Sequence, residues 1–232
     1  MEQLLTSHFW LGLGTIIWVN IILSGDNAVV IALAARSLPG RQQKLAILWG
    51  AAAAVVLRII LTIVAVKLLE FPYLKLAGGA ALLWIAVQLL IPEEGGDEEV
   101  ESSSHLLGAI KTILIADLVM STDNVIAVAA VAKDSIALLV LGLVISIPLV
   151  IFGATILMKL MERYPIIITL GAAILGWTAG EMAVTDPAVA EWVNANTSWL
   201  HWGAPAVGAA LVVVVGKWLA RRRPSIPENE NI

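Results

Sequence analysis

Two segments of this sequence carry the same pattern of carboxylate, amide and hydroxyl side chains inside long apolar runs, at residues 20–32 and 117–129. When they are aligned, their polar positions correspond in four pairs: Asn20 with Asp117, Ser24 with Ser121, Asp26 with Asp123 and Asn27 with Asn124. A charged side chain at the centre of a membrane helix costs about 2.5–3.5 kcal/mol on insertion scales. Because the same local sequence bears that cost twice, we predict that the two segments form the two halves of one cation site.

The candidate ligands of this site are all oxygen donors. The predicted metal ligands are Asp26, Asn27, Asp117, Asp123 and Asn124. Secondary candidates, for metal binding or proton coupling, are Asn20, Ser24, Ser121 and Glu181. The three histidines lie at segment ends and the sequence has no cysteine. A set of oxygen donors suits Mn²⁺, Mg²⁺ or Ca²⁺ and disfavours zinc and copper.

Helical geometry sets how these side chains can meet. On an unbroken helix Asn20, Ser24 and Asn27 share one face, whereas Asp26 points about 100° away from Asn27. Gly25 permits local unwinding, which would turn the side chains together and free carbonyl oxygens for an ion. The second copy has Thr122 in place of Gly25, so we expect a weaker break there.

The composition excludes a soluble globular domain. Of 232 residues, 59% are hydrophobic and 14% are charged, and the mean hydropathy is +0.91. Without cysteine, disulfides and thiolate metal sites are excluded. The N-terminal residues Met1-Glu2-Gln3 lack the basic region of a cleaved signal, so we expect the first apolar segment to be retained.

The apolar stretches are long enough to cross a bilayer as helices. They predict an all-α membrane protein with seven transmembrane helices: Phe9–Ala35, Leu45–Leu69, Tyr73–Ile91, Leu106–Ala132, Ile136–Leu160, Ile166–Val184 and Gly203–Ala220. We expect one transmembrane domain over residues 1–232, with repeat halves at about 9–91 and 106–184. An acidic cytoplasmic linker occupies 92–105, and a seventh helix without a counterpart spans about 203–220.

The third and sixth predicted helices also correspond. Aligning Trp84 with Trp177 pairs further residues of the two helices: Pro72 with Pro165, Gly78 with Gly171 and Gln88 with Glu181. Three helices in each half make the second half enter the membrane with opposite polarity. The pattern therefore predicts an inverted 3+3 repeat with its binding site near the membrane midplane.

The Lys and Arg residues set the expected orientation. One side of the predicted bundle carries most of them, whereas the other carries only Lys67, Lys75 and Lys133. The positive-inside rule places the N-terminus outside and the C-terminus in the cytoplasm. Between the last two helices, Asp186-Pro187 predicts a helix N-cap followed by a Trp-rich segment that anchors at the outer interface.

Arg58 lies well inside the second predicted helix. Membrane arginines pair with carboxylates or carbonyls, and the acids available are Asp26, Asp117 and Asp123. Because a guanidinium cannot ligate a cation, Arg58 is predicted to be a structural or gating counter-charge. Glu181 lies toward the outer end of its helix, so a glutamate at headgroup level is an equally ordinary interpretation.

The Ser-Gly-Asp-Asn and Ser-Thr-Asp-Asn sequences, each followed by small apolar residues, resemble the TerC-type integral membrane proteins of the wider LysE-like exporter superfamily. The resemblance covers residues 9–184. It implies a plasma-membrane metal exporter, with manganese efflux as the activity and tellurite resistance as the historical label. It also maps the membrane acids and amides of the family onto this chain: Asp26, Asp117 and Asp123, with Asn27 and Asn124.

The leading hypothesis is therefore a multi-pass inner-membrane secondary transporter that exports Mn²⁺, coupled to proton influx. Alternatives are a Ca²⁺ or cation exchanger and a metal-delivery partner of other membrane proteins. An intramembrane aspartyl protease is disfavoured because the Gly-x-Gly-Asp pattern is absent at Asp26, and an amino-acid exporter because no cationic clamp is evident. We expect no enzyme activity, no permanent cofactor and no nucleic acid; the partners are the metal ion, the bilayer and, as an open alternative, further copies of the chain.

Overall fold

A computed structural model of the chain describes residues 7–64, 72–91, 101–132 and 136–222. Within these ranges, the side chains of some helical residues are not described, namely those of residues 7–9, 21–23, 63–64, 101–104, 122–132 and 136–137. The described residues form nine helices: α1 Ser7–Leu23, α2 Gly25–Ala35, α3 Gly40–Val64, α4 Leu74–Leu90, α5 Glu101–Ala132, α6 Ile136–Arg163, α7 Ile166–Thr185, α8 Ala190–Asn196 and α9 Leu200–Arg222. The predicted all-α class is confirmed for this part of the chain.

Four helices of the described part are individually long and apolar enough to span a membrane: α3, α6, α7 and α9. Helices α1 and α2 together pass the same test as one span bent by 49°. The apolar helix α4 is shorter, at 17 residues. The described residues thus contain four to five candidate spans, and the seven-span arrangement stays a prediction.

The predicted ends agree within one residue for α4 and α7 and differ by two to three residues at α6 and α9, and the largest differences are at the starts of α3 and α5. Helix α3 begins at Gly40, five residues before the predicted Leu45. Its first turns contain Arg41, Gln42, Gln43 and Lys44, which are favourable in helices, and Pro39 precedes them. Helix α5 begins at Glu101, so residues 101–105 of the predicted linker are helical. Linker residues 92–100 lie outside the described part.

The helices of the two predicted halves are interleaved. Helix α1 packs on α6 in parallel, since a Cβ on Gly12 would meet Leu138 and one on Gly142 would meet Ile16. Helix α5 packs on α3 in parallel, with Gly50 directly against Ile113. In each case, the helix that carries a signature copy packs on the second helix of the other half.

Helices α4, α7 and α9 pack through small residues. A Cβ on Gly79 of α4 would lie 2.8 Å from the carbonyl oxygen of Ala179 on α7. On the other face of α7, Gly180 contacts the backbone of Ala204 and Pro205 on α9. Small residues at these crossings let the backbones approach closely, which is how membrane helices gain packing energy without a hydrophobic driving force.

Helix α2 is enclosed on every side. All of its residues from Asn27 to Ala35 are buried. Gly171 of α7 packs against Val29 and Leu33, and Ala28 lies toward Gly153 of α6. A helix that is apolar all round is expected in the interior of a bundle. The helix break lies at the start of this buried helix, where Ser24 is buried and Gly25 is exposed.

Asp186 joins the end of α7 to the start of α4. Its carboxylate accepts hydrogen bonds from the backbone N–H groups of Tyr73 (2.9 Å), Leu76 (3.1 Å) and Ala188 (2.8 Å). Asp186 is the C-cap of α7, and it also makes the predicted N-cap contacts, since its carboxylate binds Ala188 N–H and its carbonyl oxygen accepts from Ala190 N–H. The following helix α8 begins later than predicted, after Val189. The same carboxylate also satisfies free N–H groups at the start of α4, which lies more than a hundred residues earlier in the chain.

Burial would raise the pKa of Asp186, but the backbone N–H groups of Ala188, Tyr73, Leu76 and Lys75 outweigh burial and hold the pKa below its ordinary value of 3.8. Because the pKa is lower in the folded state, the carboxylate contributes its full stabilisation above the unfolded pKa. That contribution is lost as the pH falls through the folded pKa.

We predict that Asp186→Ala destabilises the protein by about 1–3 kcal/mol, because buried N–H donors lose their acceptor. Asp186→Asn keeps one acceptor oxygen and should lose less. Thermal unfolding of the detergent-purified variants measures both effects, with Glu191→Gln on exposed α8 as the control. The gap between wild type and Asp186→Ala should close as the pH is lowered below about 4. A gap that does not change with pH would contradict the proposed carboxylate contacts.

Candidate functional site

The first signature copy is broken where Gly25 predicts it. Helix α1 ends at Leu23, Ser24 forms the turn, and α2 begins at Gly25. Ser24 has φ −106° and ψ 4°, and its hydroxyl does not cap α2. In the second copy α5 runs unbroken through Ser121 and beyond, which agrees with the weaker break expected there.

Polar side chains from both copies converge on Arg58. Its Nη1 donates to Asn20 Oδ1 (2.7 Å) and to Ser24 Oγ (3.2 Å) in the first copy. Its Nε donates to Ser121 Oγ (3.0 Å), and its Nη2 forms an ion pair with Asp117 Oδ1 in the second. All five side chains are buried. Four residues that the repeat pairs as equivalents thus bind one guanidinium; we call these five residues the Arg58 cluster.

The packing of α3 on α5 explains this convergence. The parallel contact that begins at Gly50 and Ile113 brings Arg58 level with Asp117 and Ser121 two turns later. The side chain then crosses from α3 to the break between α1 and α2. Among the acids that the sequence offers as partners, Asp117 is the ion-pair partner.

Asp26 and Asn27 lie beside the Arg58 cluster, in the first turn of α2. Asp26 is half-buried, and its Oδ1 accepts a hydrogen bond from the backbone N–H of Asn27 at 2.8 Å. Its carboxylate interacts electrostatically with both Arg58 and Asp117. The start of a helix carries a partial positive charge, which favours a carboxylate at this position.

Several buried polar atoms at the site have no hydrogen-bond partner among the described residues. They are Asp117 Oδ2, Asn20 Nδ2 and both amide atoms of Asn27. A buried polar group without a partner is costly, and native proteins rarely tolerate one without a function. Two of these atoms, Asp117 Oδ2 and Asn27 Oδ1, are oxygens that can bind a cation.

The contacts around Arg58 and Asp26 do not include the remaining predicted site residues. Asp123 and Asn124 lie in helix α5, but their side chains are outside the described part of the structure. Glu181 is exposed on α7, and its repeat counterpart Gln88 is exposed on α4. Within the described residues no three His, Cys, Asp or Glu side chains form a group that could hold a metal.

A cavity of about 450 Å³ lies at the far end of α2 from the Arg58 cluster. Its polar lining comes from Arg36, Ser37, Gln88 and Glu162. Arg36 Nη2 donates to the carbonyl oxygen of Leu89 at 2.9 Å, which ties the end of α2 to the end of α4. Sequence reasoning missed this cavity because its lining comes from four segments that are distant along the chain.

Comparison with known proteins identifies relatives. A sequence profile described as "Integral membrane protein TerC family" matches residues 5–224. The chain is 45% identical over 178 residues to the uncharacterized membrane protein YjbE of Bacillus subtilis, covering 77% of this chain and 81% of that protein. It is 28% identical over 183 residues to the UPF0053 inner membrane protein YgdQ of Escherichia coli, covering 72% and 77%. No solved structure matches it.

We predict that the Arg58–Asp117 ion pair is strongly coupled. Arg58→Met or Asp117→Leu alone should destabilise the protein by about 3–5 kcal/mol, because each leaves one buried charge unpaired. The double variant should lose much less than the two changes added together. A double-mutant cycle of unfolding free energies in detergent measures the coupling. Arg163→Met, at an exposed arginine near the end of α6, is the matched control, and additive losses in the cycle would contradict the ion pair.

Proposed function

The chain belongs to the TerC family of integral membrane proteins, and on that premise we propose that it is a secondary transporter that exports Mn²⁺ across the plasma membrane. The observation that carries this proposal is the convergence of both signature copies at one buried position, where two oxygens have no hydrogen-bond partner within the described part of the chain. Asp117 Oδ2 and Asn27 Oδ1 supply those oxygens. They lie where α1 and α2 are interrupted, and broken helices form the ion sites of many secondary transporters.

Charge supports a divalent substrate. The proposed site combines Asp26, Asp117 and Asp123 with Arg58, so three carboxylates and one guanidinium leave a net charge of two negative. One divalent cation neutralises that charge. With Arg58 paired to Asp117, as in the structure, Asp26 and Asp123 are the acids that remain to attract an arriving metal ion.

The ligand chemistry favours Mn²⁺ over softer metals. Carboxylate and amide oxygens are hard donors, and thiolates are absent from the whole sequence. We propose Asp26, Asn27, Asp123 and Asn124 as direct ligands and the second oxygen of Asp117 as a fifth. A Ca²⁺ exchanger would use the same donors, so competition between Mn²⁺, Ca²⁺ and Mg²⁺ distinguishes the substrates.

The directions of the packed helices support an inverted repeat with seven spans. Helices α1 and α6 run parallel, as do α3 and α5, whereas α4 and α7 run antiparallel. A chain that crosses the membrane alternately, with three spans in each half, produces these relative directions. The same arrangement has the N-terminus outside and the C-terminus in the cytoplasm.

The cavity beside Arg36 and Gln88 then serves as the cytoplasmic vestibule. It opens at the end of α2 that is remote from Asp26, so a cation would travel about the length of that buried helix to reach the site. We propose that proton influx drives export and that Glu181, exposed on the opposite side of the bundle, is the candidate external proton acceptor.

The alternative functions fit the site less well. A protease dyad needs two carboxylates that share a proton, whereas Asp117 is paired with a guanidinium. An amino-acid exporter needs a free cationic clamp, whereas all three guanidinium nitrogens of Arg58 already donate to protein groups. A metal-delivery partner would bind Mn²⁺ without moving it, so flux through the purified protein separates this role from transport.

We predict that Asp26→Asn abolishes Mn²⁺ transport, because the site loses one of the charges that balance the metal. The loss should exceed the roughly 10–100-fold typical of removing an outer-shell partner. Uptake of radioactive Mn²⁺ into proteoliposomes that contain only the purified chain, with an imposed proton gradient, measures it. Asp123→Asn should behave in the same way.

Glu191→Gln makes the same acid-to-amide change on exposed α8 and should leave transport unchanged. Full transport in Asp26→Asn would contradict the proposed site. Absence of Mn²⁺ flux in the wild-type protein, with bound Mn²⁺ still detectable, would favour the delivery role instead.

A further inference from the structure

The guanidinium of Arg58 lies where a cation shared by the two signature copies would be expected. It contacts two positions from each copy, and the repeat pairs those positions as equivalents: Asn20 with Asp117 and Ser24 with Ser121. Arg58 is thus a cation supplied by the protein itself. Because a guanidinium only donates hydrogen bonds, its acceptors here are oxygens of the kind that bind metal ions, and one of them, the Asp117 carboxylate, is also a proposed metal ligand.

We propose that Arg58 is a tethered competitor of the transported metal ion. In the metal-free state its guanidinium fills the site, and bound metal displaces it from Asp117 and Ser121. This inference rests on the proposed function and adds a regulatory element to the same site. Like charges in a buried position repel, so the Asp117 carboxylate cannot hold the guanidinium and a dehydrated divalent ion at the same time.

The neighbouring unpartnered atoms provide a starting point for this exchange. While Arg58 holds Asp117 Oδ1, the other oxygen of that carboxylate and the side-chain amide of Asn27 are buried and have no hydrogen-bond partner among the residues that the structure describes. An arriving cation can therefore bind at the edge of the Arg58 cluster before the guanidinium leaves. The half-buried carboxylate of Asp26 adds attraction on that side.

A tethered competitor has a specific consequence for transport. After releasing its metal outside, an exporter must return the empty site to face the cytoplasm. A buried carboxylate without a counter-ion is costly during that step. Arg58 neutralises Asp117 during that return. Net export therefore requires Arg58, whereas exchange of Mn²⁺ for Mn²⁺ does not, because the site is then loaded in both directions.

Two measurements on the full-length purified protein test this inference. Equilibrium binding of radioactive Mn²⁺ in detergent gives the affinity, and proteoliposomes compare Mn²⁺–Mn²⁺ exchange with net Mn²⁺ efflux. Arg58→Gln should bind Mn²⁺ roughly tenfold more tightly, because the competing state that lowers the apparent affinity is removed. It should retain exchange and lose net efflux.

Arg58→Lys and Arg163→Gln complete the series. Lysine keeps the buried charge beside Asp117 but makes fewer hydrogen bonds, so its Mn²⁺ affinity should fall between those of wild type and Arg58→Gln. Should Arg58→Gln not fold, tighter binding in Arg58→Lys still tests the proposal. Arg163→Gln makes the same chemical change at an exposed position and should match wild type in Mn²⁺ affinity, in exchange and in net efflux.

If Arg58 had only a structural role, the order of Mn²⁺ affinities would be reversed, and wild type would bind Mn²⁺ more tightly than either Arg58 variant. Equal or weaker Mn²⁺ binding in both Arg58 variants, or parallel loss of exchange and efflux, overturns the inference while wild-type transport upholds the proposed function. Wild-type protein that neither binds nor moves Mn²⁺ overturns the proposed function and this inference together.

Discussion

Compensation of charge in a low-dielectric interior is the constraint on which this structure depends. Arg58 and Asp117 are both buried among membrane helices, where neither could remain charged without the other. Their ion pair fixes α3 against α5, and the hydrogen bonds from Arg58 to Asn20 and Ser24 add the end of α1. The same five side chains therefore both join three helices and form the candidate site.

Much of the fold could be predicted from the sequence because the bilayer makes its signals strong. Long apolar runs identify most helices, and the bounds of α4 and α7 agree with prediction within one residue. The starts of α3 and α5 could not be predicted as well. Both helices continue through charged and polar residues that favour helix, and hydropathy does not detect these turns.

The five residues of the Arg58 cluster were all singled out from the sequence, but their contacts with one another were not predicted. Helical periodicity places Asn20 and Ser24 on one face and Asp117 and Ser121 on another, and the repeat relates the two faces. Which acid pairs with Arg58 depends on the register of α3 against α5, and that register is set by the close contact between Gly50 and Ile113. The role of Asp186 was missed because its partners at Tyr73 and Leu76 are more than a hundred positions away.

The interleaving of the two halves has a consequence for biosynthesis. Helices α1 and α3 find their packing partners in α6 and α5, which the ribosome makes later. Until α5 and α6 are synthesised, the buried arginine of α3 and the interrupted helix α1–α2 therefore lack these packing partners. The first half can bury its polar residues only after the second half has been inserted. Quality control during insertion would therefore act on an intermediate whose polar side chains are still unpaired.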